Sequence, residues 1–210
     1  MRIAHVSDLH GHYNVLDGIP DDADLVVSTG DFFPNKTRGH VPTEQEHQTR
    51  WFGFKADSIV SRLKGKPVLL VPGNHDYVDL ARYLRREGVL AHEVTPQGHS
   101  FRGVQFAGFG HIPFIAGEWN REVLPAVLRE LVEETMTEGN PEVLLTHAPA
   151  SGILDGDFEG NTPLATHLAY KPHRVKLHLF GHAHEDGGKN VERMGVRFYN
   201  SATRIQVIDL

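Results

Sequence analysis

Ile3-Ala4-His5-Val6-Ser7-Asp8-Leu9-His10 is a short apolar run that ends in a carboxylate and an imidazole two residues apart. Its length and composition are those of a β-strand. On extended backbone, residues i and i+2 point the same way, so Asp8 and His10 can grip one cation from the end of the strand. The same pattern recurs further along. Gly30-Asp31 follows an apolar run at 25–27, and Gly73-Asn74-His75-Asp76 follows one at 68–71. His147 follows 143–145, and Gly181-His182-Ala183-His184 follows 177–180. Strand ends in an α/β sheet converge on one rim, where ligands bind. Residues distant in sequence are thereby expected at one place, and nearly all of them offer oxygen or imidazole nitrogen.

Each block alone has an ordinary explanation. A Gly-Asp pair is most often a turn, and Asn74 and Asp76 suit turns and helix caps. A lone histidine closing a buried strand, as His147 does, is more often a hydrogen-bonded core residue than a ligand. His182 and His184 repeat the i, i+2 spacing, with Ala183 pointing away, and that pair favours a metal. In the third block Asn74 can offer its amide oxygen, and His75 can donate a proton. Asp76 can hold that imidazole in one tautomer or raise its pKa. His178 lies inside its strand and reads as structural.

Strands are expected at 3–7, 25–29, 67–71, 100–108, 142–146, 176–180, 189–193, 196–200 and 204–208, with turns at Arg102-Gly103 and Met194-Gly195. Helices are expected at 43–63, 78–86, 121–137 and 163–170, Pro125 placing the true start of the third near Leu124. Thr43 and Glu46 resemble a capping box. The early half alternates strand and helix, and the late half is strand-rich. The expected fold is α/β in four layers: two mixed sheets packed as a sandwich and flanked by helices. A single domain spanning 1–210 is the most economical division. The polar loops at 32–42, 111–118 and 148–161 should border the site. His12, His111, Asn200 and Glu185 serve equally as pocket or surface groups, and Trp51, Phe52 and Phe54 as core or interface.

A net charge of −6 leaves no polybasic footprint, so tight binding of long nucleic acid is not expected. The absence of cysteine excludes disulfides and thiolate metal sites. The chain enters a strand directly after Met1 and has no apolar run near the ~18–20 residues that span a bilayer, so a cytoplasmic location away from membranes is the expectation. Oligomeric state is not legible. Histidine is abundant, at 15 residues, and His40, His47, His92, His99 and His173 sit in contexts that predict solvation.

Taken together, the blocks resemble the calcineurin-like metallophosphoesterases, whose pattern is D-x-H, G-D, G-N-H-[DE], a lone H, then G-H-x-H. Every element is present between Asp8 and His184. The flanks Leu145-Thr146-His147-Ala148-Pro149, Gly152-Ile153-Leu154-Asp155 and Gly181–Glu185 look like the class III cyclic nucleotide phosphodiesterase-like branch, which includes the metallophosphoesterase-domain-containing proteins. After Gly30-Asp31 the chain reads Phe32-Phe33-Pro34-Asn35, not the D-R-G form of the protein phosphatases. The resemblance implies two divalent metals (manganese first, or iron, zinc, nickel or cobalt). Asp8, His10 and His184 would hold one, and Asn74, His147 and His182 the other, with Asp31 bridging. His75, backed by Asp76, would be the proton donor. The implied activity is phosphodiester hydrolysis of a small or cyclic nucleotide by a hydroxide held between the metals. Alternatives are a phosphomonoesterase, a nuclease, or a non-catalytic scaffold of the same fold.

Overall fold

A computed structural model of the chain describes residues 1–37, 39–157 and 160–210. Parts of the loops expected at 32–42 and 148–161, namely Arg38, Phe158 and Glu159, therefore lie outside the described residues. In chain order the elements are β1 (Arg2–Val6), β2 (Leu25–Ser28), α1 (Val41–Leu63), β3 (Val68–Leu70), α2 (Leu80–Arg86) and β4 (Ala91–Glu93). There follow β5 (His99–Phe101), β6 (Val104–Phe109), β7 (Ile112–Pro113), β8 (Glu122–Val123), α3 (Pro125–Glu134) and β9 (Val143–Thr146). The chain closes with α4 (Thr162–Tyr170), β10 (Leu177–Phe180), β11 (Asn190–Arg193), β12 (Val196–Asn200) and β13 (Ile205–Asp209).

One sheet has the order β13-β1-β2-β3-β4, and the other β11-β12-β10-β9-β6-β5. Both are mixed. The four strands β1 to β4 run parallel with β13 antiparallel at one edge. In the second sheet β12, β10, β9 and β6 are parallel, edged by antiparallel β11 and β5.

Why the strands read as nearly unbroken apolar runs follows from burial on both faces. Ile3, Leu25, Val27 and Leu69 meet Phe106, Val143, Leu145, Leu177 and Leu179 between the sheets. Their neighbours Ala4, Val26, Val68 and Leu70 face the other way, onto Phe52, Ala56, Ile59 and Leu84 of α1 and α2. Leu144, Phe180 and Phe198 pack under Leu128, Val132, Leu164 and Leu168 of α3 and α4. Three apolar layers thus separate four structural ones, as the alternation of side chains on a strand requires. The expected four-layer α/β arrangement is observed. No helix among the described residues is long and apolar enough to cross a membrane.

Several expectations about elements need correction. α1 begins at Val41 with His40 as its cap, so Thr43 and Glu46 form no capping box. Thr43 Oγ1 instead contacts His40 Nδ1 at 2.6 Å, and Glu46 pairs with Arg50. The third helix starts at Pro125, as that proline dictates, because Glu122–Val123 pair with Ile112–Pro113. β4, β7 and β8 were not foreseen. Of the histidines expected in solvent, His40 and His92 are exposed, but His47, His99 and His173 are half-buried. Trp51 is half-buried and Phe52 is core, while Phe54 is open to solvent.

Two histidines are fully buried away from the strand ends. His5 lies between the sheets, with Thr29 Oγ1 at 2.9 Å and Ser201 Oγ at 2.7 Å. His178 lies under α3 and α4 and is 2.8 Å from Thr146 Oγ1, the structural position expected for it. Burial pushes both imidazoles down to about 3, so both stay neutral in the fold. Unfolded, each titrates near 6.5. Below that pH the unfolded state binds protons the native state refuses, so stability is complete above 6.5 and drains as pH falls toward 3. Each should cost roughly 2 kcal/mol between pH 7 and pH 5. His178→Gln should therefore flatten the acid limb of a Tm-against-pH curve recorded with chelator present. An unchanged limb would contradict a neutral His178.

Candidate metal centre

The parallel strands β1, β2, β3, β9 and β10 all end at one rim, and the expected residues stand just beyond those ends. The backbone turns sharply there. Asp8, His10, Asp31 and His182 all have positive φ, between 43° and 67°. Non-glycine residues adopt that region sparingly, and its cost is tolerated where the surroundings fix the conformation. The fixing contacts are specific. Asp8 N–H donates to the Gly30 carbonyl at 2.9 Å and His10 N–H to the Asp31 carbonyl at 2.9 Å. His182 N–H donates to Asp8 Oδ2 at 2.8 Å, which ties the end of β10 to the end of β1 and so one sheet to the other.

Glycines permit the close approach. A Cβ on Gly30 would stand 2.5 Å from the Gly73 nitrogen, and one on Gly181 2.0 Å from both Asp8 Oδ2 and Ser7 Oγ. Gly181→Ala should consequently displace the Asp8 carboxylate and weaken metal binding about 10–100-fold, the usual scale for disturbing a ligand's support. Gly53→Ala, whose new methyl meets nothing within 4 Å, is the matched control. Chelator competition distinguishes them, and equal affinities would contradict the placement of Asp8.

Two donor groups converge. In one, Asp8 Oδ1 lies 3.1 Å from His184 Nε2 and 3.9 Å from His10 Nε2, and the two imidazole nitrogens are 3.3 Å apart. In the other, His147 Nε2 lies 2.9 Å from Asn74 Oδ1 and 3.3 Å from Asp31 Oδ2. His147 Nδ1 donates to the Thr29 carbonyl at 2.7 Å, so the neutral ring aims a lone pair at two oxygen acceptors. A cation, proton or metal, reconciles three such atoms. Asp31 Oδ2 stands between the groups, 3.9 Å from His10 Nε2 as well as near His147. The His182 ring packs edge-on to His147 with centroids 5.0 Å apart. Six of the seven expected ligands thus bring a side-chain donor atom into these two groups, and the His182 ring stands against His147.

The electrostatics agree. Burial would raise the Asp31 carboxyl, yet His147, His75 and His10 hold it well below the usual carboxylate range. Burial would lower His147, yet Asp31 and Asp8 raise it to about 9. A field that retains a proton on a buried imidazole also attracts metal, which must displace that proton to bind. The chemistry of the donors, carboxylate, amide oxygen and imidazole without thiolate, fits hard or borderline divalent ions.

Asp76 does not back His75. Its carboxylate accepts four backbone N–H groups: Asp31 and Gly73 at 2.8 Å, Phe32 at 2.9 Å and Phe33 at 3.2 Å. It fastens the loop after β2 to the loop after β3. Burial, reinforced by the Asp31 charge, pushes its pKa up to about 6. His75 instead sets Nδ1 2.5 Å from Asn35 Oδ1, directs Nε2 toward Asp31 Oδ2 at 3.9 Å, and lies against Trp119 with ring centroids 4.3 Å apart. Trp119 belongs to a loop whose backbone N–H groups at Ile115, Ala116, Gly117 and Trp119 all converge on the Glu122 carboxylate at 2.7–2.9 Å.

Asn35, Glu44, Gln48 and Trp119 were missed from sequence. One signal was present. The buried stripe of α1 runs Glu44, Gln48, Phe52, Ala56, Ile59, Leu63, so two polar residues occupy stripe positions where apolar ones are expected. Of the groups considered as pocket lining, His12 and Glu185 are exposed and His111 is half-buried. Asn200 is fully buried, donating to the Leu154 and Ala183 carbonyls, and is structural.

The chain belongs to the calcineurin-like phosphoesterase family, whose model matches residues 1–186. It is 26% identical over 196 residues to a probable cyclic nucleotide phosphodiesterase of a Pseudoalteromonas species, covering 89% of this chain and 72% of that protein. Solved structures share the fold. A Thermus thermophilus sulfate thiohydrolase, SoxB, superposes with a TM-score of 0.51 at 12% identity, over 95% of this chain and 51% of its own length. This chain thus spans about half of that protein. GAP50, the anchor in the inner membrane complex of Plasmodium, gives a TM-score of 0.53 at 14% identity, covering 96% of this chain and 71% of that one.

Proposed function

We propose that the chain is a dinuclear metal-dependent phosphoesterase that hydrolyses phosphodiesters of small or cyclic nucleotides. The observation that carries this reading is the position of Asp31 Oδ2 between two convergent donor groups. Asp8, His10 and His184 would hold one cation, Asn74, His147 and His182 the other, and Asp31 both. A pair of divalent ions supplies positive charge for the phosphoryl oxygens and water activated near neutral pH. With Asp8 and Asp31 as the anionic ligands, the loaded centre keeps net positive charge inside an acidic protein, which suits an anionic ester.

The chain's own contribution lies in orientation and proton supply. Asp8 and Asp31 are ionised and buried, fixed by the N–H groups of His182 and His75 respectively. His75 is half-buried and turns Nε2 toward Asp31 Oδ2; in this reading it would protonate the departing oxygen. The relative's description as a probable cyclic nucleotide phosphodiesterase supports the choice of diester.

Parallel assays of the manganese-loaded protein on nitrophenyl phosphate, bis-nitrophenyl phosphate and 2′,3′- and 3′,5′-cyclic AMP test the reading. Turnover of the diesters ahead of the monoester is expected. Hydrolysis of the monoester alone would assign a phosphomonoesterase instead, and inactivity on all four, with metal bound, a scaffold.

A further inference from the structure

We propose that His5, buried between the two sheets, is a positioning residue that seats the ring of His147 by acting through Thr29. The inference rests on the reading of His147 as a metal ligand. It gives a purpose to polar side chains at the edge of an apolar layer. Ile3, Leu25, Val27, Leu145 and Leu177 fill the space between the sheets. At the rim end of that layer His5, Thr29 and Ser201 are all fully buried and joined by hydrogen bonds. Folding alone does not ask for them, because replacing both partners of a buried hydrogen bond by apolar groups of the same shape is nearly neutral or stabilising.

Every hydrogen in the chain of bonds can be placed, starting from its outer end. The Gln206 amide faces the Gly188 carbonyl at 2.9 Å and the Lys189 carbonyl at 3.4 Å with one end. Both are acceptors, so that end is the NH₂ group. The other end, Oε1, lies 2.8 Å from Ser201 Oγ and takes the one hydrogen of that hydroxyl. Ser201 Oγ can therefore only accept from His5 Nδ1, at 2.7 Å. His5 is neutral in the fold, so its Nε2 is bare and accepts the Thr29 hydroxyl at 2.9 Å. All donors point the same way, from the metal centre outward, and none is left unmatched.

Thr29 is thus tied to β1 twice, by its N–H on the Val6 carbonyl at 3.1 Å and by its hydroxyl on His5. Its own carbonyl is left to accept His147 Nδ1–H at 2.7 Å. A Cβ on Gly30 would stand 2.8 Å from that same Nδ1, so the imidazole rests directly on the Thr29–Gly30 peptide. The direction of this peptide decides where His147 Nε2 aims, toward Asn74 Oδ1 and Asp31 Oδ2. On the far side, Ser201 N–H donates to the carbonyl of Phe180, the last residue of β10 before Gly181 and His182. One imidazole therefore braces strand ends from both sheets directly behind the metal centre. Partners of a ligand histidine of this kind set its orientation and basicity.

The test has a metal-free arm and a metal-binding arm. In ¹⁵N-histidine-labelled apoprotein the His147 Nδ1–H, identified by its loss in His147→Ala, should exchange slowly with solvent. Thr29→Val keeps the shape and the carbonyl but removes the hydroxyl, and His5→Leu removes its acceptor. Both should speed that exchange and leave the ring N–H that His178 gives to Thr146 unchanged. His5→Gln, whose amide can accept from Thr29 and donate to Ser201, should restore slow exchange. In the second arm, chelator competition for zinc is run on each folded variant. Thr29→Val and His5→Leu should weaken the ion beside His147 about 10–100-fold and spare the ion beside Asp8. The double variant should lose no more than the worse single one. Should His5→Leu fail to fold, Thr29→Val carries both arms. Equal weakening of both ions, faster exchange at His147 and His178 alike, or a lower Tm with affinities and exchange intact would show a merely structural role and overturn the proposal. Retention of both ions by His147→Ala would instead remove the ligand reading, and the exchange rates would still decide the link between His5 and His147.

Discussion

Asp31→Ala is expected to reduce bound metal from two ions to one or none and to lower diester turnover by more than any other single change. The carboxylate lies 3.9 Å from His10 Nε2 of one donor set and 3.3 Å from His147 Nε2 of the other, and it is buried. Its removal also frees the His75 N–H from Oδ1, an acceptor 2.7 Å away. Leaving that part-buried donor unpaired costs about 1 kcal/mol in addition to the lost coordination. His147, held protonated chiefly by Asp31 against the effect of burial, loses most of its charge support. Asp31→Asn separates the two effects, because it keeps an acceptor oxygen while removing the charge. Metal content by elemental analysis after desalting is the measure. Retention of two ions by Asp31→Ala would exclude a bridging carboxylate at this position.

His75→Ala should behave differently. The ring lies beside the donor groups, and its Nδ1 is engaged by Asn35. Both ions should remain bound, while turnover of substrates with poor leaving groups falls about 10²–10⁴-fold, the range of general acid catalysis. Nitrophenyl esters leave without protonation and should lose far less. A plot of rate against leaving-group pKa should be steeper for the variant than for the native protein. Parallel lines would mean that His75 supplies no proton to the leaving group.

Much of the fold was legible because burial on both faces makes a strand conspicuous. β1, β2, β9 and β10 are mostly apolar, their residues alternating between the layer shared by the two sheets and an outer layer under the helices. β4 reads Ala91-His92-Glu93 and is a strand solely because β3 offers it a parallel partner, a long-range fact that local composition does not carry. The two-residue ladder of β7 and β8 is set by the geometry of its loop, which the Glu122 carboxylate organises. The candidate metal ligands were legible for a related reason. Each directly follows a strand, and parallel strands deliver their ends to one rim. Asn35 and Trp119 reach His75 from loops that no periodicity marks. Asp76 was misjudged because adjacency in sequence suggested contact with His75, whereas the turn directs its carboxylate toward the backbone of residues 31–33.

The central claim is that seven side chains from both sheets form one centre for two cations. Crystals grown with manganese and measured near its absorption edge test it directly. Two anomalous peaks about 3.5–4 Å apart are expected, both within coordination distance of Asp31, one beside Asp8, His10 and His184 and the other beside Asn74, His147 and His182. A single peak, or two peaks that share no ligand, would contradict it.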